Sequence, residues 1–342
     1  MIEILRPGPL TTVQDLGRAG YSHLGVPEAG AADAFSLRIA NRLVGNLDDA
    51  AALEMTGEGS SLRFETDGFV ALTGGRLEAT LDDAPVPMYQ TLAVKAGTVL
   101  ECGRITFGWR SYLAVAGGIR TAAVLGSVST DTLAGLGGVP LAAGQHLETG
   151  AHAGAPAFYM RHPPYYPQAT VLRVQAGPQQ DWFSADARRL FATSAFRVLS
   201  RSDRTGARLE GPVLAHDRDM ELPSMGVTMG AVQVPPSGQP IVLLANHGAT
   251  GGYPLIANVI SADIGAMAQL APGAELRFSE VNRETALELL REQETRLDTS
   301  LLGADPALLA ARALMVLAGQ HTSLKQAAVA DGVRRIRIRR GD

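Results

Sequence analysis

The densest pattern of apolar and turn residues in the chain covers residues 224–254, SMGVTMGAVQVPPSGQPIVLLANHGATGGYP. MGAVQV and QPIVLLAN are short apolar runs rich in β-branched residues, a composition that suits buried strands. Pro235-Pro236-Ser237-Gly238 between them predicts a tight hairpin turn. The stretch Gly248-Ala249-Thr250-Gly251-Gly252-Tyr253-Pro254 follows. Its glycines predict backbone angles that other residues resist, and a main chain that a ligand can approach closely.

Most of the remaining pattern also reads as short strands. From Ala51 to about Leu147 the segments ALEMTG, SLRF, FVALTG, LEATLD, MYQTLAV, TVLECG, RITFGWRSYLAVAGG and QHLETG succeed one another across turn residues. That succession predicts antiparallel β structure, a barrel or sandwich, and not βαβ alternation. Before it, Asp33 is expected to cap a helix through Phe35, Leu37, Ile39, Ala40, Leu43 and Val44, with no other role. Gly45-Asn46 would stop that helix. Residues 151–170 are proline-rich and predict a linker or a laced-down crossover between a first domain, 1–150, and a second, 171–282. The second opens with VLRVQAGPQ, a short helix over 182–192 and FRVLSRSDRTGARLEG. It ends with the strand LIANVI, a helix capped by Ser261 and the strand AELRFSEV. Asn282 is expected to cap a longer helix with Ala286, Leu287, Leu290 and Leu297 on one side. Residues 283–342 thus read as a helical extension with a solvated basic tail, VRRIRIRR.

Composition narrows the picture. Thirty-eight glycines and 5% aromatics fit a turn-rich β fold, and 46% hydrophobic residues give it ample core. A net charge of −4 leaves no electrostatic footprint for a nucleic-acid partner. One cysteine, Cys102, excludes an internal disulfide and reads as a small core residue. With no leader and no long apolar span, no membrane contact and a cytoplasmic location are expected. His152 and His162 lack further ligands at metal spacing, so no metal is expected. The glycine-rich run 133–138 lacks a closing Gly-Lys-Ser/Thr, and no clean strand–GxGxxG–helix unit appears. Neither a GxSxG elbow nor an HExxH pattern is present.

Two acid-base-glycine clusters remain as candidate chemistry. They are Gln14-Asp15-Leu16-Gly17-Arg18 and Ser202-Asp203-Arg204-Thr205-Gly206. Each fits either an Asp-Arg pair closing a turn or a contact with a small polar ligand. Arginine forks and strand-edge amides suit carboxylate or amide groups. Ser127 and Ser129 fall in a strand-end turn with no assigned base. Faint echoes between the halves, such as SLRF at 61 and ELRF at 275, hint at two copies of one barrel.

LTTVQDLGRAGYSHLGVPEAGAADAFSLRIANRLVGN resembles the N-terminal signature of a known family, and VAGGI with LGSVST resembles its middle. SDRTGARLEGP and GVTMGAVQVPPSGQPIVLLANHGATGGYP resemble its C-terminal signature. The family is allophanate hydrolase subunit 2, also called the biotin-dependent carboxyltransferase family or the family of the 5-oxoprolinase C subunit. The resemblance implies a mainly β fold of two cyclophilin-like β-barrel domains with short helices and a C-terminal helical extension. It implies a B-subunit partner, similar to allophanate hydrolase subunit 1, with a LamB/YcsF-like protein as a further one. The implied activity is that of one component in an ATP-dependent complex opening 5-oxoproline to glutamate, a small amide substrate. This chain would be inactive alone, bind no cofactor itself and depend on ATP through the complex. The alternatives are a carboxyltransferase of urea-carboxylase type, which would bring in biotin, and a non-catalytic regulatory subunit. No biotinyl Ala-Met-Lys-Met segment occurs here, which favours the first reading.

By the same resemblance Arg204 and Asp203 are the catalytic candidates. The substrate-binding candidates are Asp15, Arg18, Gln233, Asn246, Thr250, Gly251, Gly252 and Tyr253. Arg204 and the amides around Gly251 are the expected donors to a lactam oxygen. One departure stands out. The family pattern Asp-Arg-Gln-Thr-Thr-Gly-Gly-Tyr-Pro, often followed by Lys, is here Asn246-His247-Gly248-Ala249-Thr250-Gly251-Gly252-Tyr253-Pro254 and Leu255.

Overall fold

The alternating segments of the first half form one 10-stranded antiparallel sheet curled into a nearly closed barrel. The protein is described here from a computed structural model, over residues 1–155, 157–218 and 222–303. Four of the short runs prove to be two long strands, Gly68–Leu81 and Val99–Val115, paired along most of their length. Gly74, at φ +84°, and register shifts after it make a bulge there. The bulge bends the strand where the sequence suggested that it ends. Inside lie Ile2, Ile4, Leu53, Leu62, Phe64, Leu72, Leu100 and Leu113. Cys102 is among them, and burial pushes its thiol up to about 12, which suits a small apolar core residue and not a nucleophile.

The second half closes a separate barrel. Its strands, in order around the barrel, are Ala169–Ala176, Leu255–Val259, Ala231–Gln233, Ile241–Leu243, Gly206–Glu210, Phe196–Val198 and Glu275–Glu280. The first and last of these pair in parallel and complete the ring. The hairpin expected around the Pro-Pro-Ser-Gly turn is present, with Val232 opposite Val242 and the Gly238 amide bonded to the Pro235 carbonyl at 2.9 Å. Phe191 stacks on Phe278 with centroids 4.4 Å apart, and Phe196 packs beside them in the core.

Among the described residues the α-helices are α1 (Ala34–Leu43), α2 (Ala185–Thr193), α3 (Ile264–Ala268) and α4 (Arg283–Thr299). Asp33 caps α1 through the Ser36 amide, and Asn282 caps α4 through the Thr285 amide. Two helix starts differ from the sequence reading. Ser184 is the cap of α2, which leaves Trp182 and Phe183 before it. Ser261 caps nothing and sits in a 3-10 turn, because the chain tightens before α3 and Asp263 turns to Arg173. The face of α4 is largely solvated, with Leu297 as its buried residue and Leu287 exposed. Salt bridges hold it instead, from Arg38 to Glu294 at 2.6 Å and from Arg42 to Asp298 at 2.9 Å.

The proline-rich connection is stitched down. Phe158–Met160 pairs with Leu301–Gly303, just past α4. Asp33 also does more than cap. Its Oδ2 accepts from Tyr166 in that connection and from Gln269 after α3. The basic tail lies outside the described residues.

Candidate functional site at the seam between the barrels

Where the barrels meet, a chain of charged and polar side chains is shut off from solvent. Glu54 lies on Ala52–Thr56, where period-two alternation aims it away from its barrel core. Its Oε1 meets Arg204 of the second barrel, and Arg110 Nε stands 3.6 Å from the same oxygen. Its Oε2 accepts from the Ala32 amide at 2.9 Å and the Tyr112 hydroxyl at 2.8 Å. Burial opposes the ionisation of Glu54. The charges of Arg204 and Arg110, with the bonds from the Ala32 amide and the Tyr112 hydroxyl, together outweigh it and hold the carboxyl below its usual range. Burial also pushes the Arg110 guanidinium down, against the pull of Glu54. The Tyr112 hydroxyl is raised well above its usual value, by burial first and Glu54 second, and stays a neutral donor.

Arg204 is the hub. It donates to Glu54, to the Gly30 carbonyl and twice to Asn246 Oδ1, at 3.2 and 3.0 Å. Asn246 passes the contact on, its Nδ2 donating to Asp131 Oδ1 at 3.0 Å. Asp131 Oδ1 also accepts from the Leu133 and Ala134 amides. The seam therefore roots two glycine-rich loops side by side, 131–138 and 246–254.

The other sequence-predicted residues divide by exposure. Asp203 is exposed and caps its own turn through Thr205 and Gly206, so it does not pair with Arg204. Asp15 and Arg18 do not pair with each other either. Asp15 gathers Ser127, Ser129, Val128 and Gly17 around its carboxylate, at 2.5 to 2.8 Å. Burial resists its ionisation, but these bonds together hold the carboxyl below its usual range. Arg18 is 1% exposed and donates to the Ser129 and Val124 carbonyls. Thr250 and Gly251 form a two-residue strand with Met225 and Gly226, and Gln233 Oε1 lies close to Gly251. Thr250 and Tyr253 face solvent, while Asn246 is fully buried and His247 nearly so.

Sequence reasoning passed over Glu54, Arg110, Tyr112 and Gln269. Glu54 and Arg110 did carry a signal, as charges inside otherwise apolar strand runs. The Ser127 and Ser129 turn lacked a partner because Asp15 is more than a hundred residues away, at separations of 112 and 114. Two cavities, of about 320 and about 380 Å³, open beneath α2 and between α4 and the proline-rich connection. Neither is lined by a sequence-predicted site residue. Among the described residues no cluster of His, Cys, Asp and Glu could hold a metal, and no helix is long and apolar enough to cross a membrane.

With two barrels joined by a buried charged seam, residues 24–280 match the family model described as carboxyltransferase domain, subdomain A and B. The chain belongs to that family. It is 41% identical over 297 residues to the C subunit of 5-oxoprolinase from Escherichia coli (strain K12), which covers 86% of this chain and 96% of that protein. The protein of the same name in Haemophilus influenzae is 38% identical over 301 residues, covering 87% and 97%. The crystal structure of the K. lactis urea amidolyase matches 87% of this chain with a TM-score of 0.79 and 30% identity. This chain spans 20% of that longer one.

Proposed function

We propose that this chain is the C subunit of a 5-oxoprolinase-type complex, which opens the lactam of 5-oxoproline to glutamate at the expense of ATP. The observation that carries the reading is the identity of about 40% to the C subunit of 5-oxoprolinase, end to end in those relatives. The geometry agrees with a subunit that contributes part of a site. Opening a lactam demands donors aimed at its oxygen. The exposed Thr250 and Tyr253 of the 250–253 loop are candidates to offer them. Arg204 is a positioning residue in this reading, since its donors already hold Glu54, Gly30 and Asn246. Nucleotide belongs to the partner subunits. The run 133–138 lies against Arg18 and leads to a turn and the strand His146–Thr149, not to the helix a phosphate loop needs. Leu16, Leu24, Leu125, Leu133 and Val139 are exposed on the loops beside the seam. They form the face offered to a B-subunit partner, in a contact of about 1,200–2,000 Å² in total.

Reconstitution with homologues of the A and B subunits tests this. The three chains together should release glutamate from 5-oxoproline with ATP hydrolysis, and omission of any one should abolish it. Turnover by this chain alone, or full activity without it, overturns the reading. The likeness to urea amidolyase favours a second reading, carboxyl transfer from carboxybiotin to urea. Urea and carboxybiotin in the same assay separate the two. A complex that assembles, but whose turnover ignores this chain, would identify a regulatory role.

A further inference from the structure

Buried polar atoms without a partner gather around one short segment, residues 129–131. Arg18 donates Nη2 to the Ser129 carbonyl at 2.5 Å and Nε to the Val124 carbonyl at 3.4 Å, and its Nη1 has no partner among the described residues. Gln14 donates Nε2 to the Thr130 carbonyl at 2.9 Å and leaves Oε1 unpaired. Asp131 takes three donors on Oδ1 and none on Oδ2. Gln14, Arg18 and Asp131 are 0%, 1% and 0% exposed. A buried guanidinium bonded only to neutral carbonyls, with one amine unpaired, is costly, because no countercharge is bonded to it and its hydration is only partly replaced. Such groups mark places where a charged partner belongs.

The cover over Arg18 is thin. The Gly137 backbone lies against the guanidinium. A Cβ there would stand 2.9 Å from Arg18 Nη2 and would run into the Ser129 carbonyl. Gly135, Gly137 and Gly138 all take left-handed angles, at φ +67°, +71° and +105°. Leu133, at the tip, is 62% exposed.

We propose that Arg18 is the anchor for a small monocarboxylate, roofed by residues 131–138, which lift to admit the ligand. A carboxylate suits the planar fork, with one oxygen on the free Nη1. A dianion such as phosphate suits it less well, because a single guanidinium with one free amine supplies one positive charge. Gln14 Oε1 and Asp131 Oδ2 offer acceptors for an N–H on the same ligand. A cyclic amide bearing a carboxylate has both features. Only the name of that ligand, 5-oxoproline, rests on the proposed function; the anion anchor does not.

The test is phenylglyoxal labelling of Arg18, read by peptide mass spectrometry on the full chain, alone and in the reconstituted complex. Labelling should be slowed by 5-oxoproline and not by neutral 2-pyrrolidinone. Arg18 that never reacts, or reacts equally with and without every carboxylate, overturns the anchor. Protection by propionate but not by 5-oxoproline keeps the anchor and sinks the 5-oxoprolinase reading. In direct binding, Arg18→Gln should weaken 5-oxoproline about tenfold or more while 2-pyrrolidinone binding is unchanged. Equal loss of both ligands, in a variant with wild-type Tm, would make Arg18 merely structural.

Discussion

Two glycine-rich loops leave the seam together, and their glycines do different things. In 248–252, Gly248, Gly251 and Gly252 all keep ordinary φ angles, and a Cβ on Gly248 or Gly252 would meet nothing closer than 3.5 Å. In 133–138 every glycine is left-handed, and Gly137 has no room for a side chain. The sequence drew attention to the first loop because it carries three glycines in seven residues and a family motif. It passed over the second because the run fails the phosphate-loop pattern. A glycine count measures the freedom a chain has available. Only the close approach of another group shows whether that freedom is used.

The largest test removes the root that both loops share. Glu54→Gln leaves Arg204 and Arg110 buried without their countercharge, and should cost about 3–5 kcal/mol in urea unfolding. The pH dependence carries a sign. The folded-state value of Glu54 is depressed, so its contribution is present above the ordinary glutamate range and lost as pH falls through the folded value. Wild type should therefore lose stability on acidification where the variant loses less. A variant as stable as wild type at pH 7 would show that the loops do not depend on the ion network.

The next test compares the loops directly. Gly137→Ala forces a Cβ into a left-handed position, which alone costs about 1–2 kcal/mol. The collision with Ser129 adds to it. Gly252→Ala should stay within about 0.5 kcal/mol of wild type. Equal effects on unfolding would erase the distinction between the loops.

A third substitution probes the bridge between them. Asn246 accepts from Arg204 and donates to Asp131. Asn246→Asp, which restores the family pattern, keeps the first bond. It replaces the second with two facing carboxylates, and should cost about 1–3 kcal/mol at neutral pH. One of the pair must then hold a proton with a raised folded pKa, so the deficit should shrink as pH falls. A deficit that does not change with pH would mean that the carboxylates do not face each other.

These contrasts show what was legible in the chain. The hairpin about Pro235 and Gly238, the cap at Asp33 and the two strand-rich halves could be read because turn chemistry and period-two patterning are local. The seam could not. Glu54 finds Arg204 across 150 positions, and no local pattern encodes such a pairing. Arg204 was noticed through its Asp-Arg-Thr-Gly motif, yet its neighbour Asp203 only caps a turn. Asn246, read as a ligand contact, lies inside the seam because its amide fits between an arginine and an aspartate. Asp15 was found, but its serine partners were assigned to a different turn.

The smallest effect on stability should be the most informative about function. Tyr253 is 42% exposed at the tip of the loosely built loop. Truncation to Ala removes little buried area, so Tyr253→Ala should unfold within about 0.5 kcal/mol of wild type. If the loop faces substrate or a partner chain, the same variant should depress 5-oxoproline-dependent ATP hydrolysis of the reconstituted complex. The two parameters separate the causes. Lost partner contact weakens assembly and is recovered at higher subunit concentration, whereas lost substrate contact persists in the fully assembled complex. Gly252→Ala serves as the control, since it adds one methyl to the same loop without strain. If Tyr253→Ala leaves both assembly and turnover unchanged, the 250–253 loop takes no part in the activity. The functional centre would then move to the tightly built loop over Arg18.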